Sequence, residues 1–316
     1  SILVSSRAPI GHVAIAGRTL CTNQGFKSLV PRAGVDTRYL YHCMKFHSSR
    51  LAALGNGATF KEVSKAIVEN FQIPLPTDIG GQRRIAAILD KADGLRKKRD
   101  EALNSADELL RSVFLDIFGG ALSGPTNQWQ SLSDCTDFTD YRGKTPEKSD
   151  SGVRLITAKN VRNGVINIEP AEFISEETYS WWMSRGYPQS GDVLFTTEAP
   201  LGYVAVLRTQ EPVAIGQRLI AIRPRDVLRS DYLEWALRQD IIQRDIFSRA
   251  TGSTVKGIRS AELVRVKVPI PNMADQLKFE KIVASVHHQK ELMQASAVQS
   301  EQLFQALQQQ AFQGRL

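Results

Sequence analysis

The pattern of apolar and polar positions changes character several times along the chain. From Ser1 to about Pro31, short apolar runs alternate with Gly, Pro and Asn, the pattern of strands joined by tight turns. Between Asp36 and about Leu54 the apolar residues Leu40, Cys43, Met44 and Leu51 fall at helical spacing, so a helix is predicted to follow the strands. The same succession returns later, with Asp231 as the expected N-cap of a helix whose apolar stripe is Leu233, Leu237, Ile241, Ile242 and Ile246. From Gln82 to Phe118 apolar residues lie three and four apart, at Ile85, Ile88, Ala92, Leu95, Ala102, Ala106, Leu109 and Val113. This is a heptad seam, interrupted by Arg99 where a core residue belongs. Such a helix extends on the order of 55 Å at about 1.5 Å per residue and needs a partner for its stripe. A second long stretch, about Gln276 to Phe312, carries Phe279, Ile282, Val286, Met293, Leu303, Leu307 and Ala311 on one side. Antiparallel pairing of the two would make a spacer with a module at each end. The competing arrangement packs each helix only on its own module.

The order of elements is written twice. Ser1-Ile2-Leu3-Val4-Ser5-Ser6-Arg7-Ala8-Pro9-Ile10-Gly11 runs parallel to Asp192-Val193-Leu194-Phe195-Thr196-Thr197-Glu198-Ala199-Pro200-Leu201-Gly202. Farther on, Gln24 aligns with Gln217, Gly57-Ala58-Thr59 with Gly252-Ser253-Thr254, and Ile73-Pro74-Leu75-Pro76 with Val268-Pro269-Ile270-Pro271. A repeat of about 190 residues is far longer than the periods of solenoids and propellers, so it marks a duplicated domain and implies two similar sites. Residues 128–191 have no counterpart ahead of Ser1, and the first copy is expected to be partial. Gly119-Gly120-Ala121-Leu122-Ser123-Gly124-Pro125 is expected to stop the first long helix and reverse the chain.

Composition narrows the class. With 316 residues and 42% hydrophobic content the chain can bury a core in each of two domains. Its cysteines, Cys21, Cys43 and Cys135, show no paired spacing, which fits reduced thiols rather than a disulfide framework. No run approaches the roughly 20 apolar residues of a membrane span, and Ser1 opens directly into a strand-like segment, so a cytoplasmic location is expected. A net charge of +7 and a pI near 9.3 favour a polyanionic partner. Arg is frequent in the central module, and its planar guanidinium suits phosphate and guanine.

Catalytic signatures are missing. The sequence contains no Walker-type phosphate loop, dinucleotide fingerprint, HExxH pair or Asn/Asp-Pro-Pro-aromatic tetrapeptide. His42, Cys43 and His47 lie close together, but on a helix their spacing fits neither a zinc knuckle nor a HExxH site, so they read as packing residues. Three segments instead suit DNA. Asp140-Tyr141-Arg142-Gly143-Lys144-Thr145-Pro146 gathers an aromatic ring, two cations and a hydroxyl in a turn, with Tyr141, Arg142, Lys144 and Thr145 as candidates. A strand ending in a polar turn presents Lys159, Asn160 and Arg162, and Asn and Arg are the side chains that read adenine and guanine bidentately. If Arg162 reads a base, Arg162→Ala should weaken specific binding more than random binding. Thr251 to Arg259 offers Ser253, Thr254, Lys256 and Arg259 to phosphate oxygens, and its counterpart in the first copy offers Lys61. Arg218, next to the repeated Gln217, completes the set. An ordinary basic hairpin and a plain turn remain the alternative readings of the second and third segments.

Taken together, the chain resembles the specificity subunit of type I restriction-modification enzymes. The residues that carry the resemblance are Ile73-Pro74-Leu75-Pro76 through Gln82-Arg83-Arg84-Ile85, Phe114-Leu115-Asp116-Ile117-Phe118-Gly119, the entry from Trp129 to Lys144-Thr145-Pro146, and Val268-Pro269-Ile270-Pro271 leading to Gln276. The resemblance implies an α+β fold: two mixed α/β target-recognition domains, the first truncated, separated by two long antiparallel coiled-coil helices. In residue terms these are a partial first domain over 1–81, a spacer helix over 82–118, a complete second domain over 119–275 and a second spacer helix over 276–313. It further implies a non-catalytic protein that reads a bipartite sequence in double-stranded DNA and docks methyltransferase subunits and, through them, a motor-nuclease subunit. S-adenosylmethionine, ATP and Mg would belong to those partners, and the chain itself is expected to hold no cofactor or metal. The alternative is a coiled-coil assembly scaffold without intrinsic DNA specificity.

Overall fold

A computed structural model describes residues 1–7, 9–57, 61–141 and 145–314, apart from the side chain of Asn104. The chain divides into two compact units, one of Ser1–Ser105 with Lys290–Leu316 and one of Ala106–Gln289.

In the first unit, β1 (Ile2–Ser5), β2 (Val13–Ile15) and β3 (Phe26–Leu29) form an antiparallel sheet in the order β2-β1-β3. α1 (Thr37–Phe46) starts after Asp36, whose carboxylate accepts the N–H groups of Arg38 and Tyr39, as an N-cap should. Leu40 and Met44 of α1 share a core with Ile2, Val4, Leu51 and Val63. The short helices α2 (Ser48–Ala53) and α3 (Lys65–Glu69) follow, and then α4 (Ile79–Ser123), whose first turn is capped by Asp78 accepting from Gly80 and Gly81. Ile85, Ala86 and Leu89 of α4 pack with Tyr39, Cys43 and with Phe304, Ala311 and Phe312 of the C-terminal helix. Arg96 pairs with Glu301 at 2.7 Å, and Arg99 donates to Ser300 at 2.9 Å, so within this unit the two helices run antiparallel.

The second unit receives the remainder of α4, which runs on through Gly119 and Gly120 because Phe118 and Leu122 are buried in this unit's core. The glycines do not stop the helix as expected; it ends at Ser123, ahead of Gly124 and Pro125. Next come β4 (Gln130–Ser131), α5 (Leu132–Cys135), β5 (Thr136–Asp140), β6 (Val153–Ile156), β7 (Val161–Arg162), β8 (Val165–Ile166), β9 (Phe173–Ile174) and α6 (Glu176–Trp182). β10 (Val193–Thr196), β11 (Val204–Val206), β12 (Val213–Ile215) and β13 (Leu219–Pro224) complete two main sheets, ordered β11-β10-β13-β5 and β12-β6-β9. α7 (Ser230–Leu237), α8 (Asp240–Arg249), α9 (Ser260–Leu263), β14 (Lys267–Val268) and α10 (Met273–Phe312) close the chain. In this unit Leu110, Phe114 and Phe118 of α4 meet Phe279 and Val283 of α10. Asp231 is not the cap of α7: that place belongs to Arg229, and Asp231 lies buried in the first turn against Arg208.

Register bears out the repeat. Ile2 faces Ile15 and Val4 faces Val13, as Val193 faces Val206 and Phe195 faces Val204. The β-turn glycines agree too, with φ of 92° at Gly11 and 88° at Gly202, a left-handed backbone that favours glycine. Each copy also fastens a long helix to its sheet domain with one buried glutamine. Gln82 accepts from the Asp36 N–H and donates to Gly34 and Pro76; Gln276 accepts from the Arg229 N–H and donates to Val227 and Pro271. The hydroxyls of Tyr39 and Tyr232 donate to the carbonyls of Pro74 and Pro269, at 2.9 and 2.8 Å. The Pro-hydrophobic-Pro elements are therefore acceptors for the helices around them.

Candidate nucleic-acid interface

Among the described residues three of the sequence candidates converge in the second unit. Thr145, Lys159 and Arg218 line a concavity of about 240 Å³ together with Lys148, Thr157 and Gln217. β6 delivers Thr157 and the turn to Lys159; the turn ahead of β13 delivers Gln217 and Arg218. All three cations are balanced from within. Lys148 and Lys159 lie 2.9 and 3.6 Å from the same oxygen of Glu172, and Arg218 lies 2.8 Å from Glu198. The second oxygen of Glu172 is buried without a hydrogen bond. The cationic ends remain exposed, so a phosphate could take the place of either carboxylate at little desolvation cost.

A loop borders this concavity. Thr251 and Gly257 exchange backbone hydrogen bonds of 2.8 and 2.9 Å, Gly257 bridges to Glu198, and the Ile258 N–H donates to the Thr197 carbonyl. Between these anchors Ser253, Thr254 and Lys256 are exposed, and Arg259 follows, also exposed. Gly252 is fixed at a φ of 106°, and a Cβ there would lie 2.1 Å from the Val255 carbonyl oxygen, so this turn requires glycine. The first unit repeats the anchors: Asn56 and Glu62 exchange backbone hydrogen bonds, the Val63 N–H donates to Ser6, and Lys61 is exposed beside them. Charge is reversed at one position. Arg7 pairs with Glu62 in the first unit, whereas its counterpart Glu198 pairs with Arg218 in the second.

Other candidates have structural duties. Tyr141 is buried: its hydroxyl donates to the Gly186 carbonyl at 2.7 Å and accepts the Arg185 N–H at 2.8 Å, and its ring stacks on Trp182. It does not face a ligand, and burial pushes its pKa up. Asn160 must likewise be withdrawn as a base reader. Its amide is fully used, accepting from the Thr157 N–H and hydroxyl and donating to the carbonyls of Asn167 and Pro170. Arg162 is exposed, but its guanidinium donates to the carbonyls of Ala158 and Val161 and lies over the Tyr203 ring. Arg142 and Lys144, with Ala58 and Thr59 of the first-copy loop, lie outside the described residues. Sequence reasoning passed over Lys148 and the carboxylates Glu172 and Glu198, which nothing local distinguishes. Gln217 was signalled only by its recurrence opposite Gln24. His42 of the His-Cys cluster is buried against Asp90 at 2.9 Å, in keeping with a packing role.

Two compact α+β units, each bound to long helices, repeat one arrangement of strands, helices and buried glutamine within the chain. The sequence matches the family described as the type I restriction modification DNA specificity domain over residues 1–105 and 145–299, and the chain belongs to that family. Among similar proteins, the MjaIX specificity subunit of a type I restriction enzyme from Methanocaldococcus jannaschii is 24% identical over 93% of this chain and 73% of its own length. The MjaVIII specificity subunit of the same organism is also 24% identical, over 84% of this chain and 67% of its own. The crystal structure of an S subunit from M. genitalium shares the fold with a TM-score of 0.62 at 17% identity, covering 98% of this chain and 82% of that one. A chain from a type I restriction-modification assembly gives 0.59 at 21% identity, covering 100% and 82%. The protein is a specificity subunit of a type I restriction-modification system, the component that recognises DNA sequence. Among the described residues no helix is long and apolar enough to cross a membrane.

Proposed function

We propose that each unit reads one half of a bipartite target in double-stranded DNA. In the second unit the reading face is the concavity of Lys148, Lys159 and Arg218 with its bordering loop. The observation that carries this is the contact chain Arg218–Glu198–Gly257, which makes loop and concavity one continuous surface of cations, hydroxyls and amides. Such a surface holds phosphates with its cations and leaves Gln217 and Thr157 for base edges. The long helices offer docking surfaces for methyltransferase subunits and, through them, a motor-nuclease subunit. Catalysis, with its S-adenosylmethionine, ATP and Mg, belongs to those partners, and the assembly acts in the cytoplasm.

The test is to assemble the chain with methyltransferase subunits and map which adenines of a genome become methylated. A split motif with a fixed gap is expected. A contiguous palindrome would overturn the two-half-site reading, and loss of partner assembly without loss of DNA binding would overturn the docking role alone. Arg162→Ala and Arg218→Ala then separate roles. A larger loss on the target duplex than on random duplex marks a base contact, and equal losses mark phosphate contact.

A further inference from the structure

A hairpin stands beside the concavity of the second unit. β7 and β8 pair Val161 with Ile166 and Arg162 with Val165, and Asn163-Gly164 makes the two-residue turn between them, with Gly164 at a φ of 79°. At its base the Asn160 amide ties Thr157 to Asn167 and Pro170, so the hairpin is continuous with the turn that carries Lys159. At its tip the Gly164 N–H donates to the Val204 carbonyl at 2.8 Å, and the Asn163 side chain accepts the Val204 N–H at 3.3 Å. Arg162 is exposed between these anchors. Its Nη1 donates to the carbonyls of Val161 and of Ala158, a residue that lines the concavity, and its guanidinium lies over the Tyr203 ring, 5.7 Å from the centroid. Its Nε and Nη2 have no partner among the described residues. One nitrogen thus fixes the plane and leaves a two-donor edge open, the geometry that reads O6 and N7 of guanine.

Under the turn lies a buried ion pair. Glu234 of α7, with its side chain only 2% exposed, accepts from Arg238 Nη1 at 3.1 Å, and the Arg238 guanidinium lies over the Trp235 ring, 3.9 Å from the centroid. A Cβ on Gly164 would stand 3.2 Å from Arg238 Nη1 and 3.3 Å from Glu234 Oε1, so the turn rests directly on the pair. Burying a carboxylate is costly. The repeated scaffold does not require one: in the register that matches Tyr232 with Tyr39, the first unit has Tyr41 and Lys45 at these positions, with Lys45 over the Tyr41 ring and 3.4 Å from Asp93.

We propose that Glu234 and Arg238 are positioning residues for sequence reading: as the seat of Gly164 they set the height of the β7–β8 hairpin, and with it the approach of Arg162 to a guanine edge in the major groove. This rests on the reading of the second unit as a DNA-reading unit, and a two-stranded ribbon is an element that the major groove admits. The seat also titrates. Burial pushes the Glu234 carboxyl up to about 7 against the pull of Arg238 and Arg208, and Asp231, itself paired with Arg208, adds to the rise. Lifting the hairpin hydrates the carboxyl and returns it towards its ordinary 4.5, so the seated state is favoured while Glu234 is protonated. That advantage is complete below about pH 4.5 and is lost as pH rises to about 7.

The test uses the full chain and two duplexes, one carrying the motif that methylation mapping yields and one with that motif scrambled, with affinities read by anisotropy at fixed salt. Glu234→Ala should weaken target binding about tenfold and scrambled binding by less than about twofold. Combined with Arg162→Ala, it should add nothing to the loss that Arg162→Ala causes alone, because the seat then has no side chain to position. Between pH 5 and pH 7.5 the target-to-scrambled ratio of the wild-type chain should fall by about threefold or more, and Glu234→Gln, which keeps an uncharged acceptor for Arg238, should abolish that fall. Hydrogen exchange reads the fold independently: Glu234→Ala should speed exchange at Gly164 and Val204 while residues 193–196 and 219–224 stay protected. Equal losses on both duplexes, additive losses in the double variant, or a pH dependence that survives Glu234→Gln would each overturn the positioning role and leave DNA reading standing. Exchange loosened throughout β10 and β13 would make Glu234 a general core residue and overturn it as well. A wild-type chain that binds both duplexes equally would overturn the DNA reading itself, and the positioning role with it.

Discussion

Gln276 shows how much one side chain can hold. It is fully buried, and its amide satisfies the Arg229 N–H and the carbonyls of Val227 and Pro271 at the start of α10. Gln276→Ala strands three backbone groups in a dry site and should cost about 2–4 kcal/mol. Every tryptophan of the chain, Trp129, Trp181, Trp182 and Trp235, lies in the second unit, so urea unfolding followed by tryptophan fluorescence reads this loss selectively. Gln82→Ala, equivalent but in the first unit, should leave that transition in place. Glu234 gives a pH signature in the same unit. Burial pushes its pKa up to about 7 against the pull of Arg238 and Arg208, with Asp231 adding to the rise. A carboxyl whose folded pKa is raised favours the folded state while protonated, so its contribution is complete below about pH 4.5 and is lost as pH rises to about 7. Glu234→Gln should therefore flatten the decline in stability between these values, seen as a smaller change in urea midpoint between pH 5 and pH 7.5. Asp90 and His42, in the first unit, leave the tryptophan signal untouched.

At the scale of elements, the long helices were legible in extent but not in register. The seam read from spacing includes Leu95, Leu109 and Leu303, which are 57, 53 and 62% exposed. Their neighbours Arg96, Leu110 and Phe304 face the partner helix instead. Apolar spacing favours a leucine over an adjacent arginine, yet Arg96 stretches over the Phe304 ring at 4.7 Å and reaches Glu301, so its stem packs and its charge is satisfied. No periodicity count contains that information. It follows that Leu95→Gln and Leu109→Gln should each shift stability by less than about 0.5 kcal/mol, whereas Leu89→Ala and Leu110→Ala should cost about 2–4 kcal/mol, measured by urea denaturation. The strands fared better, because the duplication marked their turns: two copies of one pattern agree on Gly11 and Gly202, and the strands on either side of each pair in the same way. The candidate concavity was half legible for a related reason. Lys159, Arg218 and the 252–257 loop are exposed cations and turns that local pattern reveals. Asn160 looked like a base reader until its amide met Asn167 and Pro170, contacts made by the fold of the β7–β8 hairpin and the chain beyond it.

For the whole molecule, the decisive quantity is how its charge meets DNA. A chain of net charge +7 binds polyanions in any case, so affinity alone says little about the reading face. The concavity makes a sharper statement because its cations are held by carboxylates: one oxygen of Glu172 lies between Lys148 and Lys159. If both lysines meet phosphates, Lys148→Ala and Lys159→Ala should each reduce the slope of log affinity against log salt by about one. Glu172→Gln should do the opposite, steepening the slope and tightening binding to random duplex severalfold by releasing two cations from their internal counter-ion. A structural role for Glu172 predicts the reverse sign, since loosening the turn that carries Lys159 would weaken binding. Anisotropy titrations at a series of salt concentrations, on target and random duplexes, separate the two, and weaker random binding by Glu172→Gln would remove the concavity from the DNA path. Tighter random binding with unchanged target binding would identify Glu172 as the residue that suppresses wrong sites, since specificity rests on the difference between the two affinities.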